Sequence, residues 1–315
     1  MKDLISIDQL SLENINDIHR LAQNFYKSSP IACPVRSRIF KFFCGQNLPL
    51  KGKILINFFF ENSTRTRTSF EIAAKRMGAE VVNIDVSLSS LKKGESIIDT
   101  VKTINAMKPD FVTLRHNSSG ICEVLKKHIF APLINAGDGT NEHPSQALLD
   151  SFVILQHKKK FENLRVTICG DVLHSRVARS NIKLLKKVGC EVRVVTPPTL
   201  ITSQYREWLK ENWNIEVFEN LQQGIQGADV IMMLRIQQER MLGCYIPSLS
   251  EYFKVFGLTH EKLKFAKSDV LVLHPGPINR DVEISSSLAD DKKFSLILDQ
   301  VEAGVAVRQA ILQLL

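Results

Sequence analysis

Short apolar runs alternate along the chain with longer segments in which apolar residues recur every three or four positions. The run at 54–60 is largely apolar and aromatic, so it predicts a buried strand. A helix is predicted to follow, with Ser63 as its N-cap and Gly78 at its end. Its apolar positions share one face: Phe70, Ala73, Ala74 and Met77. The stretch is therefore a strand that leads directly into an amphipathic helix.

The same alternation continues through both halves of the chain. We predict strands at 54–60, 80–84, 111–114, 132–135, 165–169, 191–195, 215–218, 229–234 and 270–273. Further helices are predicted at 8–27, 96–107, 144–157, 176–188, 203–212, 259–266 and 299–315. Strands that alternate with helices form parallel sheets, so the pattern predicts an α/β fold. We expect two doubly wound domains, each with a mostly parallel sheet flanked by helices, joined by long helices.

The length of 315 residues suits two domains of ordinary size. We place the first at 1–142 and the second at 158–294, with a connecting helix at 143–157. The last helix, at about 295–315, has apolar positions suited to packing back onto the first domain.

Composition and charge narrow the class of protein. The chain is 44% apolar and 23% charged, as soluble globular proteins are. Its net charge of +8 is dispersed, which disfavours nucleic-acid binding and fits either anionic small substrates or solvated lysines. Six widely spaced cysteines without a C-x-x-C pair predict neither a disulfide framework nor a zinc site. With no signal-peptide pattern and no apolar run near the ~20 residues of a membrane span, we expect a cytoplasmic protein.

Candidate chemistry begins at the predicted helix start after Ser63. Thr64, Arg65 and Thr66 fall in the first turn, where backbone N–H groups, hydroxyls and a guanidinium meet the positive end of the helix dipole. Such a site binds phosphate or another small dianion. A capped surface helix that carries arginines is an equally good interpretation of this stretch alone.

Other polar residues also follow predicted strands. They are Ser63, Arg115, His143, Arg176, Arg235 and His274. In open parallel sheets, ligands bind outside the carboxyl ends of the strands, so these residues are predicted to line a ligand crevice. The turn after strand 165–169 has Gly170 but no G-x-G-x-x-G, and no P-loop is present, so we expect no nucleotide cofactor. We also expect no metal, since no His lies near the cysteines at ligand spacing.

Each of these residues also has a structural interpretation. Arg176 at a helix start suits either a structural ion pair or a bound carboxylate. His143 and Gln146 lie at i, i+3 and are able to face one ligand, although a lone histidine is often structural. Arg235 and Gln237 alternate as in an extended segment, which suits a ligand crevice or a solvated loop.

The segment His274-Pro275-Gly276-Pro277 predicts a stiff loop that presents backbone carbonyls, because proline fixes φ and removes a donor. A purely structural turn is the alternative for this segment.

Several motifs occur together and in order along nearly the whole chain. They are Ser-Thr-Arg-Thr-Arg with Ser-Phe-Glu, Lys-Gly-Glu, Arg-His, His-Pro-x-Gln, Arg-x-Gln-x-Glu-Arg and His-Pro-x-Pro. In this combination the chain resembles the transcarbamoylases, and more closely the aspartate members than the ornithine members. The ornithine members usually show His-Pro-Cys-Gln and a His-Cys-Leu-Pro loop, where this chain has Ser145 and the loop 274–277.

The resemblance implies transfer of the carbamoyl group of carbamoyl phosphate to the amine of L-aspartate, a step of de novo pyrimidine biosynthesis. It assigns carbamoyl phosphate to Ser63, Thr64, Arg65, Thr66, Ser89, Arg115, His143, Gln146, Gly276 and Pro277. Within this set, Thr66, Arg115 and His143 would stabilise the oxyanion of the tetrahedral intermediate, and Arg65 would also act in catalysis. Gln146 and the carbonyls around Gly276 and Pro277 would hold the carbamoyl NH₂. Gly276 replaces the leucine of other members, from which we expect altered loop mobility rather than lost activity.

For the acceptor, the resemblance assigns the α-carboxylate of aspartate to Arg176 and the side-chain carboxylate to Arg235 and Gln237. Two arginines suit a dicarboxylic substrate. Lys93 would also bind aspartate and act in catalysis. Together with Ser89, it would belong to a loop that enters the active site of a neighbouring subunit.

Two neighbours of these loop residues, Ser90 and Lys92, are the alternatives to them. A shared site implies a homotrimer, and a separate regulatory chain is a possible further partner. Neither nucleic acid nor a membrane is expected as a partner.

Overall fold

The computed structural model describes residues 1–27, 48–85, 94–237 and 245–315, which form two compact units. The first unit comprises Met1–Phe152 and Val301–Leu315, and the second comprises Val153–Gln300. The boundaries fall inside two helices, between Phe152 and Val153 and between Gln300 and Val301.

The first unit contains a four-stranded parallel sheet in the order β2-β1-β3-β4. Its strands are β1 (Ile54–Phe59), β2 (Glu80–Asp85), β3 (Phe111–His116) and β4 (Leu133–Asp138). The helices that begin in this unit are α1 (Leu12–Lys27), α2 (Thr64–Arg76), α3 (Ile97–Ala106), α4 (Ile121–Lys126) and α5 (Pro144–Lys158). The chain leaves β1 toward β2 on one side and returns to β3 on the other, so the sheet changes winding direction between β1 and β3.

The second unit contains a five-stranded parallel sheet in the order β7-β6-β5-β8-β9. Its strands are β5 (Arg165–Cys169), β6 (Glu191–Val195), β7 (Glu216–Phe218), β8 (Val230–Met233) and β9 (Leu271–Leu273). The helices are α6 (Arg176–Lys187), α7 (Ser203–Trp213), α8 (Leu221–Ile225), α9 (Leu249–Phe256), α10 (His260–Leu263), α11 (Ser286–Ala289) and α12 (Ile297–Leu314), with a 3₁₀ turn at Pro198–Leu200. Here the winding direction changes between β5 and β8.

The predicted α/β class and the parallel sheets are confirmed, and the nine predicted strands are present. Two predicted helices are shorter than expected for local reasons. The helix predicted at 8–27 begins at Leu12, because Ser11 Oγ caps it by accepting from Asn14 N at 3.1 Å. The helix predicted at 259–266 ends at Leu263, since the following backbone bonds run from residue i to residue i+3 and tighten the chain.

Both sheets bury their strands on two faces, which explains the nearly continuous apolar runs in the sequence. Val112 and Leu114 in β3, and Ile231 and Met233 in β8, are fully buried in the two cores. Within the described residues, no helix is both long and apolar enough to cross a membrane.

Candidate active site

The first group of predicted site residues lies where β1 ends and α2 begins. Ser63 occupies the N-cap position, as predicted, but its side chain makes no capping hydrogen bond. By contrast, the Ser, Thr or Asn that caps each of eight other described helices accepts a hydrogen bond from its first turn. The first-turn N–H groups of Thr64, Arg65 and Thr66 thus do not donate to the Ser63 hydroxyl oxygen, which suits them to bind the oxygens of an anion.

Arg115 lies at the carboxyl end of β3, directly beside Phe59 at the end of β1. Its guanidinium is half-buried, with Nε 3.1 Å from Glu61 Oε2 and Nη1 donating to the Ala136 carbonyl at 3.2 Å. Glu61 belongs to the same loop as Ser63. The structure therefore brings this arginine to the sheet edge at which α2 begins.

His143 and Gln146 lie at the start of α5, after β4. Both side chains are buried, and His143 Nδ1 lies 3.4 Å from Ser145 Oγ. Gln146 N donates to the His143 carbonyl at 3.0 Å, while Gln146 Nε2 donates to Asp150 Oδ1 at 2.9 Å. The start of α5 thus places both residues at the same sheet edge as Arg115.

Two buried carboxylates support this edge and were not identified from the sequence. Asp138, fully buried, accepts from Gly120 N at 2.8 Å and from Glu142 N at 3.0 Å. Glu142 in turn accepts from Ser6 Oγ at 2.6 Å and Ile7 N at 3.0 Å. The Gly-Asp-Gly-Thr turn before His143 was the only signal in the sequence for this support.

The second unit presents its site residues at the ends of β5 and β8. Gly170 directly follows β5 with φ +124°, and a Cβ there would lie 3.0 Å from the Leu234 carbonyl oxygen. Glycine therefore permits the two strand ends to approach closely. Ser175 caps α6 by accepting from Ala178 N at 3.1 Å, and Arg176 is the first residue of that helix, only 4% exposed.

Asp171 links the loop before α6 to the segment after β8. Its buried carboxylate accepts from His174 N at 3.1 Å and contacts His174 Nδ1 at 2.9 Å. Burial raises the pKa of Asp171, while the charge of His174 and a hydrogen bond from the Gln237 backbone act in the opposite direction. Gln237 Nε2 also donates to the His174 carbonyl at 3.3 Å.

Arg235 and Gln237 are half-buried and flank Ile236, which is buried beside Leu200 and Tyr252. The alternation predicted for this segment is therefore present in the structure. It places the two polar side chains together on the face opposite to Ile236.

The loop after β9 is held by His274 and Glu283, both essentially fully buried. Gly276 N donates to His274 Nδ1 at 2.8 Å, so the ring proton lies on Nε2, which is 3.1 Å from Glu283 Oε1. Asn279 N donates to the same carboxylate oxygen at 2.7 Å. The hydrogen bonds of the His274 side chain thus stabilise the loop that carries Gly276 and Pro277.

Lys93 and Ser89, with their alternatives Lys92 and Ser90, lie outside the described residues. Among the residues that are described, no cluster of three or more His, Cys, Asp or Glu side chains has the geometry of a metal site.

Sequence comparison defines the class of protein to which this architecture belongs. Residues 2–156 match the carbamoyl-P binding domain of aspartate/ornithine carbamoyltransferases, and residues 162–315 match the Asp/Orn binding domain. The chain therefore belongs to the aspartate/ornithine carbamoyltransferase family.

Within that family, the chain is 54% identical over 266 residues to the aspartate carbamoyltransferase catalytic subunit of Parvibaculum lavamentivorans, covering 84% of this chain and 80% of the relative. Aspartate transcarbamoylase from Trypanosoma cruzi, solved with carbamoyl phosphate and aspartate, superposes with a TM-score of 0.84 at 28% identity over 99% of this chain and 96% of that one. Ornithine carbamoyltransferase from Pyrococcus furiosus superposes almost as well, with a TM-score of 0.82 at 26% identity and the same coverage. The fold is thus shared by enzymes with different acceptors.

Proposed function

We propose that this protein transfers the carbamoyl group of carbamoyl phosphate to the amine of L-aspartate, giving N-carbamoyl-L-aspartate and phosphate. The observation that carries the choice of acceptor is the pair of arginines at neighbouring strand ends of the second unit, Arg176 after β5 and Arg235 after β8. Two guanidinium groups match the two carboxylates of aspartate. Relatives more than 50% identical that are named aspartate carbamoyltransferase catalytic subunits support the same acceptor.

The phosphate of the donor binds at the first turn of α2. Thr64, Arg65 and Thr66 supply backbone N–H groups, and the Arg65 guanidinium supplies a positive charge. Ser63 contributes its hydroxyl, which makes no capping bond within its own helix. This arrangement suits a dianion with several oxygens.

The reaction begins when the neutral amine of aspartate attacks the carbonyl carbon and forms a C–N bond. Charge develops on the carbonyl oxygen, where Thr66, Arg115 and His143 donate hydrogen bonds to the oxyanion. The tetrahedral intermediate then collapses, the C–O bond to phosphate breaks, and the departing phosphate accepts the amine proton. His143 serves as a hydrogen-bond donor rather than as the base.

Aspartate is held by the second unit. Arg176 binds its α-carboxylate, while Arg235 and Gln237 bind the side-chain carboxylate. Gln146, together with the backbone carbonyls around Gly276 and Pro277, accepts hydrogen bonds from the carbamoyl NH₂. The link between Asp171, His174 and Gln237 supports this assignment, because it joins the loop before Arg176 to the segment that carries Arg235.

Ornithine is the second candidate acceptor, because a solved ornithine carbamoyltransferase has the same fold. Its side-chain cation would be repelled by Arg235. The test measures carbamoyl transfer from carbamoyl phosphate with aspartate and ornithine in parallel, for wild type and for Arg235→Ala with Gln237→Ala. We expect turnover with aspartate alone, and its loss in the double variant. Turnover with ornithine, or aspartate turnover that is unchanged in the double variant, would overturn the assignment.

The assembly that we propose is a homotrimer in the cytoplasm that serves pyrimidine biosynthesis, with Lys93 and Ser89 completing the site of a neighbouring subunit. A regulatory chain remains a candidate partner. Mixing inactive Lys93→Ala with inactive His143→Ala subunits tests the shared site. Mixed trimers should recover activity, because one interface then combines an intact loop with an intact His143. A fully active monomer would contradict the proposal.

A further inference from the structure

The side-chain amide of Gln146 is held in one orientation by a buried carboxylate. Its Nε2 lies 2.9 Å from Oδ1 of Asp150, four residues later on the same face of α5, and Asp150 is fully buried. An ionised carboxylate only accepts hydrogen bonds, so the NH₂ end of the amide faces Asp150 and the oxygen Oε1 faces away. Within the described part of the chain, Oε1 has no hydrogen-bond partner.

A buried arginine favours the ionised form of this carboxylate. Arg308 in α12 is 3% exposed, lies 5.0 Å over the ring of Phe70 in α2, and donates from Nη1 to the Gly304 carbonyl at 2.9 Å. Burial lowers the pKa of Arg308 to about 10, and the charge of Asp150 opposes that change, so Arg308 is a cation at neutral pH. A cation held in the interior stabilises the charged form of a nearby carboxylate.

Gly304 makes room for this arginine. A Cβ at position 304 would lie 2.6 Å from Arg308 Nη1 and 3.4 Å from Leu149 Cδ2. Glycine inside a helix is less stabilising than alanine. Here it allows α12 to pass close to α5, beside Asp150, while the guanidinium folds back along its own helix.

We propose that Asp150 and Arg308 are positioning residues that keep the Gln146 amide oxygen turned toward the donor, so that the site selects carbamoyl phosphate over acyl phosphates. This inference rests on the proposed function, in which Gln146 binds the carbamoyl NH₂. That NH₂ offers hydrogen-bond donors, whereas the methyl group of acetyl phosphate has a similar size but offers none. A site built to accept from a donor discriminates strongly against an analogue that lacks it.

The test compares two ligands that share the phosphate and differ at this one group. It measures kcat/KM for carbamoyl phosphate at saturating aspartate, and the inhibition constant of acetyl phosphate. Asp150→Asn keeps the volume but supplies an NH₂ that is able to bond Gln146 Oε1 and reverse the amide. We expect kcat/KM for carbamoyl phosphate to fall ~10–100-fold, as when a buried hydrogen-bond partner is lost, with the acetyl phosphate constant unchanged.

Further variants separate positioning from folding. Arg308→Met should give a similar one-sided loss, and Arg308→Lys should restore part of it because the cation remains. Ser151→Ala is the matched control. It removes a buried hydroxyl from the same helix, bonded to His19 and to the Leu148 carbonyl, and should leave both constants unchanged.

Equal shifts of both constants in Asp150→Asn, or no shift in either, would overturn the inference, because Asp150 would then only support the fold. If Asp150→Asn does not fold, Arg308→Met and Arg308→Lys provide the test. The role of Arg308 is refuted if, in both variants, the ratio of kcat/KM for carbamoyl phosphate to the inhibition constant of acetyl phosphate equals that of wild type. Wild-type protein that turns over no carbamoyl phosphate with aspartate would instead contradict the proposed function itself.

Discussion

Two helices of this protein begin after the carboxyl end of a central strand, and they differ in the capping of their first turns. In the first unit α2 follows β1, and the Ser63 side chain gives no capping bond. In the second unit α6 follows β5, and Ser175 Oγ accepts from Ala178 N at 3.1 Å. Both strands lie where their sheet changes winding direction, so the topology of the two helix starts is equivalent.

The difference matches two kinds of anion. An uncapped first turn offers several N–H groups at one point, which suits the oxygens of a phosphate. In a capped turn, some of the N–H groups already donate to the capping side chain. In the proposed function the second unit therefore binds a carboxylate through Arg176, whose planar guanidinium matches it. Under the proposed function, the same topological position binds its anion through backbone N–H groups in the first unit and through a side chain in the second.

The largest expected effect comes from removing the charge beside the uncapped turn. We expect Arg65→Ala to lower kcat/KM for carbamoyl phosphate by ~100–1,000-fold, the range found when one donor to a developing charge is lost. Steady-state kinetics with varied carbamoyl phosphate measure this. Arg67→Ala is the control, since a residue two positions further along points to a different side of α2. Similar losses in both variants would mean that general positive charge, rather than the helix start, binds the donor.

In the second unit, Arg176→Ala should raise KM for aspartate by roughly 100-fold, because a charge-assisted partner of the carboxylate is lost. KM for carbamoyl phosphate should change little. Arg179→Ala, one turn further along α6 and placed over the Tyr205 ring, is the matched control. If KM rises equally for both substrates, the assignment of separate anions to the two helix starts is wrong.

Much of this arrangement was predictable because it depends on local pattern. The strands are recognisable in the sequence as apolar runs. Arg115, Arg176 and Arg235 follow these runs, so a parallel topology was enough to predict that they lie at the sheet edges. Helices as short as α4 and α11 were missed, since four to six residues are too few to show helical periodicity.

The supporting carboxylates were not predictable for a different reason. Glu142 bonds Ser6 and Ile7 across more than 130 residues of sequence, and Asp150 lies beside Arg308 from the far end of the chain. Such pairs leave no periodic signal in a single sequence. The absence of a capping hydrogen bond to Ser63 was also not predictable, because the sequence shows a capping residue type but not the direction of its hydroxyl.

Acid should destabilise the first unit through a histidine that is buried in α1. Burial lowers the pKa of His19 from 6.5 to about 4, with Nε2 held 2.9 Å from Ser151 Oγ. Between these values the unfolded chain binds the extra proton, so stability is fully present above pH 6.5 and falls as the pH drops toward 4. The loss amounts to about 3 kcal/mol in total. Hydrogen exchange of α1 against pH measures it.

His19→Gln should flatten this dependence in α1 while leaving the exchange of α6 in the second unit as it was. An unchanged pH profile for α1 in His19→Gln would show that other groups cause the acid sensitivity of the first unit.

The smallest effect tests the comparison most directly. Ser175→Ala should lower the free energy of unfolding by about 1 kcal/mol, since it removes a capping bond. Ser63→Ala should leave stability unchanged in the absence of ligand, because the Ser63 hydroxyl caps nothing, yet it should weaken the binding of inorganic phosphate. Urea denaturation of both variants, with and without phosphate, gives the four values. If Ser63→Ala costs as much stability as Ser175→Ala without ligand, then α2 is capped in solution, and the contrast between a backbone site in one unit and a side-chain site in the other fails.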